Sequence, residues 1–313
     1  MLRLVARRLL LSIPLVFAVS ALTFVLGALT PGNPAYTILG AQATRAELEA
    51  VDKQLGFNLP IWMQYWHWLV HAVQGNLGTS LTNSQPVASQ LVAQLPVTLS
   101  LVIGATLVST IAGVGLGTIS ALRPGMTGRA TDAFAMLGFA IPNFWLGLVL
   151  VEIFALKLHW LPATGYVSFA QSPAGWFESL ILPVLTLSAA GVTGIAKQTS
   201  DSMRDVLGRD YIDMLRADGL SEPRIIFVHA LRNAAIPVVT MIGIFFVGML
   251  GGSVVVENVF GLPGLGSLAV TAASQHDLPV VQGIAVIFCL FVVVVNLIVD
   301  IAYGWLNPKV RVS

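Results

Sequence analysis

The sequence predicts an all-α membrane protein that crosses the bilayer six times, and three observations indicate this fold class. Of its 313 residues, 56% are apolar and only 10% are charged, whereas soluble domains carry about 25% charged residues. Six apolar stretches are each close to the length of about 20 residues that a helix needs to cross a bilayer. Basic residues are concentrated in alternate connections between these stretches, as expected for a polytopic chain.

The predicted spans occupy most of the chain. They lie at Leu9–Leu29, Leu95–Leu122, Ala133–Leu156, Leu180–Ala196, Ile236–Val256 and Val280–Trp305. The first span is too long for the apolar region of a secretory signal, about 7–15 residues, and no small-residue cleavage site is clear after it. We therefore expect a single transmembrane domain over residues 1–313, with a retained anchor at 9–29, an extracytoplasmic segment at 30–94 and a five-helix core at 95–305.

Positive charge indicates the orientation of the chain. Most lysines and arginines lie in the N-terminal segment, in the connections after the second and fourth spans, and in the C-terminal segment. The other side of the membrane holds only Arg45, Lys53 and Lys157. Because positive loops tend to remain in the cytoplasm, both termini and the long loop at 199–235 are predicted to be cytoplasmic.

Two short helices are predicted in the extracytoplasmic segment. Thr44 and Glu47 have the spacing of a capping box, and Gly56 follows as a helix stop. A second helix is predicted between Pro60 and Gly75. Its aromatic residues suit the headgroup level of the bilayer, so we expect this helix to lie at the interface. These aromatic residues are Trp62, Tyr65, Trp66 and Trp68.

No catalytic or metal-binding motif is expected in the chain. His67 and His71 have the one-turn spacing of a zinc pair, but Trp68 occupies the position that holds glutamate in the H-E-x-x-H motif. We therefore favour an interfacial role for both histidines. None of the four lysines follows a glycine, so the phosphate-binding motif G-x-x-x-x-G-K-[ST] is absent from the sequence. A net charge of +1 without a basic stripe argues against nucleic acid as a partner.

Small residues and rare carboxylates mark the predicted spans. Gly113 and Gly117 form a GxxxG pair, which favours close helix packing within one bundle over a dimer interface. Glu257 and Asp300 lie near span ends, where water can solvate them, and Glu152 is the carboxylate nearest to membrane depth. A proton relay needs several such groups in series, and the sequence does not provide them.

The loop at 199–235 has an amphipathic helical pattern that continues through Leu215. Gly219 is placed to end this helix, with Leu220 as the apolar residue that follows a Schellman-type end. Ser221 then has the position of an N-cap for a second helix, which leads to Pro237 at the start of the fifth span. The pattern predicts two helices that meet at a glycine corner, either to dock on another protein or to lie on the bilayer surface.

The same segment resembles a known family signature. The stretch YIDMLRADGLSEPRIIFVHALRNAAIPVVT is similar to the EAA loop of permease subunits in ATP-binding cassette importers, in the form found in the dipeptide/oligopeptide/nickel permease family. The matching residues are Gly219, His229, Ala230, Leu231, Arg232, Asn233, Ala234 and Pro237. Asp213, Met214 and Leu215 occupy the positions of the E-A-A triad, and Asp218 stands where the family often has lysine. Further blocks in the family's order, such as AIPNFWLGLVL and VFGLPGLGSLAVTAASQHDLPVVQG, extend the resemblance over nearly the whole chain.

The resemblance implies a type I ABC importer transmembrane fold in the bacterial inner membrane. It also implies the partners: a second permease subunit, two ATPase subunits or one fused pair, and an extracytoplasmic substrate-binding protein. ATP and Mg would bind to the ATPases, and no cofactor is expected in this chain. Short peptides are the implied solutes, with nickel, glutathione or another small solute as alternatives. A secondary transporter or channel that works without an ATPase is the remaining alternative.

Two groups of site residues follow from the resemblance and from polar character within the spans. Residues expected to couple the chain to the ATPases are Asp213, Met214, Leu215, Arg216, Ala217, Asp218, Gly219, Leu220, Ser221, Glu222, His229, Arg232, Asn233 and Pro237. Residues expected along the translocation pathway are Asn143, Glu152, Asn258 and Asn296.

Overall fold

The structure is a computed structural model that describes residues 2–29, 34–40, 42–123 and 140–306, with four isolated positions between the last two ranges. The described residues form helices joined by short loops, and they include one isolated β-bridge between Thr79 and Pro86 but no β-strand. In chain order the helices are α1 Leu2–Leu29, α2 Pro34–Leu39, α3 Arg45–Leu55, α4 Ile61–Val73, α5 Val87–Leu122, α6 Asn143–Leu150, α7 Pro173–Leu207, α8 Asp210–Ala217, α9 Glu222–Phe260, α10 Leu265–Ser274 and α11 Leu278–Leu306.

Five of the described helices, α1, α5, α7, α9 and α11, are long and apolar enough to cross a membrane. The predicted third span at Ala133–Leu156 lies partly outside the described residues. Its second half is α6, which continues as a wider π-helical segment over Val151–Lys157. A second π-helical segment, Ile225–Ala230, lies near the start of α9.

Several spans are longer than the hydrophobic windows predicted. The fourth was expected at 180–196, whereas α7 has 35 residues and begins at Pro173. The Ser172 hydroxyl accepts a hydrogen bond from the Gly175 N–H, so the helix begins at a local cap, within a segment that a hydrophobicity window does not detect. At its other end α7 runs beyond the predicted window as far as Leu207.

The described chain divides into two compact units. One contains the described residues within 2–3, 99–262 and 294–306, and the other contains those within 4–98 and 263–293. In the first unit, α5 lies close to α7 because the contact positions are glycines. A Cβ atom at Gly113 would lie 2.8 Å from the Ile195 side chain. The predicted GxxxG pair thus packs within the chain.

In the second unit, polar and aromatic contacts join α1 to α4. The Tyr65 hydroxyl lies 2.9 Å from the Ser20 hydroxyl, and the Tyr65 ring packs edge to face on Phe17 and Phe24. Trp62 and Trp66 point away from these contacts and are 68% and 58% exposed. The aromatic residues of α4 therefore lie on two faces of the helix, one that packs on α1 and one that is exposed.

The predicted capping box of α3 is confirmed. The Thr44 backbone N–H donates to the Glu47 carboxylate at 2.8 Å, and the Glu47 N–H donates to the Thr44 hydroxyl at 3.4 Å. The Glu47 carboxylate accepts the bond from the Thr44 N–H and a second bond, at 2.7 Å, from the Thr44 hydroxyl, and these two bonds, chiefly the one from the backbone, lower the pKa of Glu47 from its ordinary value. The predicted stop at Gly56 is also confirmed, because its φ of +75° places it in the left-handed region.

Candidate functional site

The helices α8 and α9 meet in a turn at Gly219, and this turn is the centre of the candidate site. Gly219 has a φ of +80°, which glycine adopts far more readily than other residues. The Leu220 N–H donates to the Leu215 carbonyl at 3.1 Å, and the Gly219 N–H donates to the Arg216 carbonyl at 3.0 Å. These two hydrogen bonds form a Schellman motif, so the predicted helix end at Gly219 is confirmed. We call residues 210–224 the Gly219 corner.

The second helix of the corner begins at Ser221, as predicted, but the serine side chain makes no capping hydrogen bond. Its backbone carbonyl accepts the first helical bond from the Ile225 N–H at 3.0 Å. Pro223 lies in the first turn, where a missing N–H costs nothing. Glu222 is also in this turn, and its carboxylate forms an ion pair with Arg216 across the corner.

Arg216 joins the two helices across the turn. Its Nη1 donates to Asp213 in its own helix at 2.9 Å, and its Nε donates to Glu222 in the next helix at 2.7 Å. The hydrogen bonds to Glu222 and Asp213 raise the pKa of Arg216 above its ordinary value. Single exposed ion pairs contribute little to stability. Here the planar guanidinium bonds both carboxylates at once and therefore restricts the angle between the helices.

Tyr211 makes a second link between α8 and α9 that sequence reasoning missed. The Asn233 side-chain nitrogen donates to the Tyr211 hydroxyl at 3.1 Å and to the His229 carbonyl at 2.9 Å. The Tyr211 ring also packs against an apolar cluster formed by α7 and α9. The buried members of this cluster are Met203, Val206, Ala230 and Ala234. A tyrosine and an asparagine 22 positions apart have no sequence pattern that would reveal their bond.

The predicted continuous amphipathic helix through the loop is wrong. The helix α7 ends at Leu207, Arg209 is extended with φ −89° and ψ 142°, and α8 begins one residue later. This break turns α8 out of line with α7, so apolar residues that the helical pattern placed on one face have different environments. Met203 is fully buried under α9, whereas Met214 is 62% exposed.

The corner presents most of its side chains to the surface. Of the predicted coupling residues, Leu215, Leu220 and His229 are half-buried. The others are exposed, namely Asp213, Met214, Arg216, Ala217, Asp218, Gly219, Ser221, Glu222, Arg232, Asn233 and Pro237. Two further apolar side chains beside the corner, Phe227 and Val228, are 64% and 51% exposed. The site is thus a stiff helical corner with a mixed apolar and charged outer surface.

The end of α7 that carries the corner is fastened to α5. The Arg204 guanidinium donates to the Ser120 hydroxyl at 2.9 Å and to the Ser120 carbonyl at 3.3 Å. The Ser200 hydroxyl donates to the same Ser120 hydroxyl at 3.2 Å. These bonds fix the end of α7 against the end of α5, so the corner extends from a braced pair of helices.

The predicted pathway residues make local interactions. Asn258 donates to the Val254 carbonyl in its own helix at 2.7 Å, and Glu152 lies 3.4 Å from Lys157 in an exposed ion pair. Asn143 is half-buried at the start of α6, and Asn296 is exposed on α11. They lie on three different elements, and these contacts do not link them to one another.

The expectation that water solvates Glu257 is wrong, because its side chain is fully buried. The chain folds back over this end of α9, where the Gly165 N–H donates to the Phe260 carbonyl at 2.9 Å.

In α4, the His71 Nδ1 lies 2.7 Å from the His67 carbonyl oxygen. Among the residues that the structure describes, no group of three or more potential ligand side chains is arranged to hold a metal ion.

These features define a helical, multi-span membrane protein that presents a braced, charged helical corner beyond its spans. Residues 113–312 match the family described as "Binding-protein-dependent transport system inner membrane component". Residues 1–102 match the N-terminal family of membrane components of the same systems. The chain therefore belongs to the family of inner membrane components of binding-protein-dependent transport systems.

Relatives match over nearly their whole length. The chain is 41% identical over 312 residues, 99% of each chain, to the "Glutathione transport system permease protein GsiC" of Escherichia coli O6:H1. It is 38% identical over 308 residues, 98% of each chain, to the "Probable peptide ABC transporter permease protein y4tP" of Sinorhizobium fredii. The predicted family, a permease of ABC importers of the dipeptide/oligopeptide type, is confirmed.

A solved structure supports the fold. A chain of the MetNI methionine ABC transporter in an inward-facing conformation has a TM-score of 0.57 and 16% sequence identity. The match covers 70% of this chain and 96% of that chain. The predicted all-α importer transmembrane fold is confirmed. The protein is thus a permease subunit, and ATP hydrolysis belongs to other subunits of such transporters.

Proposed function

We propose that this permease moves short peptides into the bacterial cytoplasm by alternating access, and that partner ATPases drive it through the Gly219 corner. The observation that carries the coupling role is the geometry of the corner. Two helices are fixed at a defined angle by a Schellman motif and by the Arg216 bridge to Asp213 and Glu222, and most of their side chains remain exposed. A docking element must keep its shape under load, and these bonds supply that stiffness.

The proposed assembly contains a second permease subunit, two ATPases that bind ATP and Mg, and an extracytoplasmic substrate-binding protein. The proposed coupling residues are 213–222 of the corner together with His229, Arg232, Asn233 and Pro237 of α9. Asn143, Glu152, Asn258 and Asn296 remain proposed for the pathway, within a single domain over residues 1–313. Because ATPases act in the cytoplasm, the corner and both termini are assigned to that side.

Two contacts within the first compact unit support the proposed orientation. Arg204 and Ser120 are bonded to each other, and both lie at span ends that the charge distribution places in the cytoplasm. The Gly165 N–H and the Phe260 carbonyl are also bonded, and both lie at ends placed outside. A membrane-impermeant maleimide tests this assignment. In a Cys289→Ser background, Glu222→Cys is expected to be protected in intact cells and Gln171→Cys to be labelled.

The substrate class rests on the two full-length relatives, one named for glutathione and one for peptides. Glutathione is itself a tripeptide, so both names indicate a small peptide-like solute, and glutathione is the specific second candidate. Uptake of labelled dipeptide into proteoliposomes that hold the assembled transporter tests the proposal. Competition by unlabelled dipeptide, glutathione or nickel then identifies the solute. If glutathione or nickel competes and unlabelled dipeptide does not, the competing solute replaces the short peptide as the proposed substrate.

The coupling role is tested separately with Leu220→Asp, which puts a charge on a half-buried apolar residue of the corner. We expect ATP-dependent uptake to be lost while the isolated ATPase keeps its own hydrolysis rate. Val73→Asp is the matched control, because Val73 is 81% exposed at the end of α4, far from the corner in sequence. Normal uptake in Leu220→Asp would overturn the coupling role. Failure of the wild type to recruit any ATPase would overturn the proposed function itself.

A further inference from the structure

Asp277 is a buried carboxylate that the proposed transport mechanism does not use. It lies in the short connection between α10 and α11 and is 1% exposed. Its Oδ2 accepts hydrogen bonds from the Ser80 hydroxyl at 2.5 Å and the Thr82 hydroxyl at 3.1 Å. Its Oδ1 accepts one from the Leu81 N–H at 3.2 Å. Three consecutive residues, distant in sequence, thus satisfy one buried charge.

The loop Asn76–Pro86, which we call the clasped loop, is held by further bonds of its own. The Ser80 N–H donates to the Gln85 carbonyl at 2.9 Å, and the Ser84 N–H donates to the Ser80 carbonyl at 3.1 Å. The loop is also tied to the first turn of α5, where the Gln90 amide lies 3.3 Å from the Asn83 side-chain oxygen. The loop therefore has a defined shape from one end to the other.

Two residues, one in the clasped loop and one adjacent to Asp277 in sequence, have backbone conformations that non-glycine residues seldom adopt. Ser84 in the clasped loop and His276 next to Asp277 both have a φ of +56°. Such conformations persist where the surroundings enforce them, and they are often associated with function. The hydrogen bonds to the buried carboxylate stabilise one particular shape of the loop, and the strained backbone persists within that shape.

The exposed face of the clasped loop is polar and uncharged. Its exposed side chains are Asn76, Thr79, Thr82, Asn83, Ser84, Gln85 and Pro86, and Gln275 is exposed next to the connection. Amides and hydroxyls that hold their positions before binding lose little entropy when a partner forms hydrogen bonds with them. The face lacks the tryptophans and basic residues that favour a lipid headgroup layer. A soluble protein is therefore the partner that fits.

We propose that Asp277 is a positioning residue that holds the clasped loop as a preformed docking surface for the soluble substrate-binding protein. The charge distribution places residues 30–94 and the connection at Asp277 on the extracytoplasmic side, where that protein acts. This inference rests on the proposed function, because it requires a binding-protein-dependent importer. Asp277 acts on docking only through the loop and makes no contact with the solute.

The test uses the complete transporter in nanodiscs and the binding protein that co-purifies with it. The measured quantity is the concentration of binding protein that gives half-maximal stimulation of ATP hydrolysis. Asp277→Ala removes all three acceptor contacts and is expected to raise this concentration about tenfold, with the maximal rate retained. Hydrogen exchange of the clasped loop is expected to accelerate in the same variant. Asp277→Asn keeps one acceptor oxygen, and its half-stimulating concentration is expected to lie between those of the wild type and Asp277→Ala.

A second variant tests the surface without touching the carboxylate. Gln85→Arg adds a bulky charge to the exposed face and is expected to raise the half-stimulating concentration without changing hydrogen exchange. Gln171→Arg puts the same charge on an exposed residue of another loop assigned to the same side and is expected to change neither quantity. Gln85→Arg remains decisive if Asp277→Ala fails to assemble.

The outcomes separate this inference from the proposed function. An unchanged half-stimulating concentration in Gln85→Arg overturns the docking surface. A lower melting temperature in Asp277→Ala, with unchanged stimulation by the binding protein, reduces Asp277 to a purely structural role and overturns its positioning role. A wild-type transporter that no binding protein stimulates overturns the proposed function, and the docking surface with it.

Discussion

Substitution at Gly219 gives the sharpest test of the corner, because the structure isolates a single cause. A Cβ atom added at this residue would meet nothing within 4 Å, so the effect of alanine comes from the backbone alone. At a φ of +80°, an L-residue costs roughly 1–2 kcal/mol relative to glycine. That energy changes the ratio of formed to opened corner by a factor of about 5 to 30.

Three substitutions are expected to rank in order of backbone cost. Gly219→Asn is expected to remain close to wild type, because asparagine tolerates the left-handed region. Gly219→Ala carries the full cost of about 1–2 kcal/mol. Gly219→Pro is expected to be worst by roughly 3 kcal/mol or more, since proline fixes φ near −65° and removes the N–H that donates to the Arg216 carbonyl.

Two measurements check the ranking. Hydrogen exchange of the Leu220 amide, which donates across the turn, is expected to quicken about 5- to 30-fold in Gly219→Ala. Solute transported per ATP hydrolysed is expected to fall in the order asparagine, alanine, proline. Gly75→Ala is the matched control, because Gly75 has a φ of +86° and equally open surroundings at the end of α4. Tight coupling in Gly219→Pro would refute the reasoning.

Three further predictions follow from contacts elsewhere. Gly113→Leu is expected to cost about 1–3 kcal/mol through overpacking against α7 and to lower the yield of folded protein in detergent, whereas Gly115→Leu, at a glycine with open surroundings, is not. Tyr211→Phe removes only the hydroxyl that Asn233 contacts, and it is expected to lower uptake per ATP without lowering yield. Because folding lowers the pKa of Glu47, the stability that its carboxylate gives to α3 is complete above the ordinary pKa of 4.5 and is lost as the pH falls through the folded pKa. Hydrogen exchange of α3 is expected to accelerate over that pH range. Glu47→Gln is expected to remove this pH dependence.

Much of the local structure could be predicted because it depends on neighbouring residues. The capping box at Thr44 and the stop at Gly56 are set by side chains within a few positions of each other, and both are present. The turn at Gly219 is of the same kind, since glycine there is followed by an apolar residue that closes the Schellman motif. Hydropathy also located the five spans that the structure describes as long apolar helices, because length and apolar content are sufficient for that purpose.

Contacts between distant residues could not be predicted in the same way. Neither the bond from Asn233 to Tyr211 nor the three bonds to Asp277 leaves a periodic trace in the sequence. The burial of Glu257 was misjudged for a related reason, because a loop from elsewhere in the chain covers its helix end. The break between α7 and α8 was missed because the apolar pattern continues across Gly208.

Under the proposed coupling role, the arrangement of these bonds indicates which span would receive motion from the corner. The helix α8 is joined to α9 by the Schellman turn, by Arg216 and by the bond from Asn233 to Tyr211. It is joined to α7 through Gly208 and the extended residue Arg209. A force applied to α8 therefore moves the start of α9 with it, while rotation at Arg209 lets α7 keep its bonds to α5. Because α9 runs from Glu222 to Phe260 without a helix end and is long enough to cross a membrane, it would carry a tilt at the corner away from the coupling surface in the proposed mechanism.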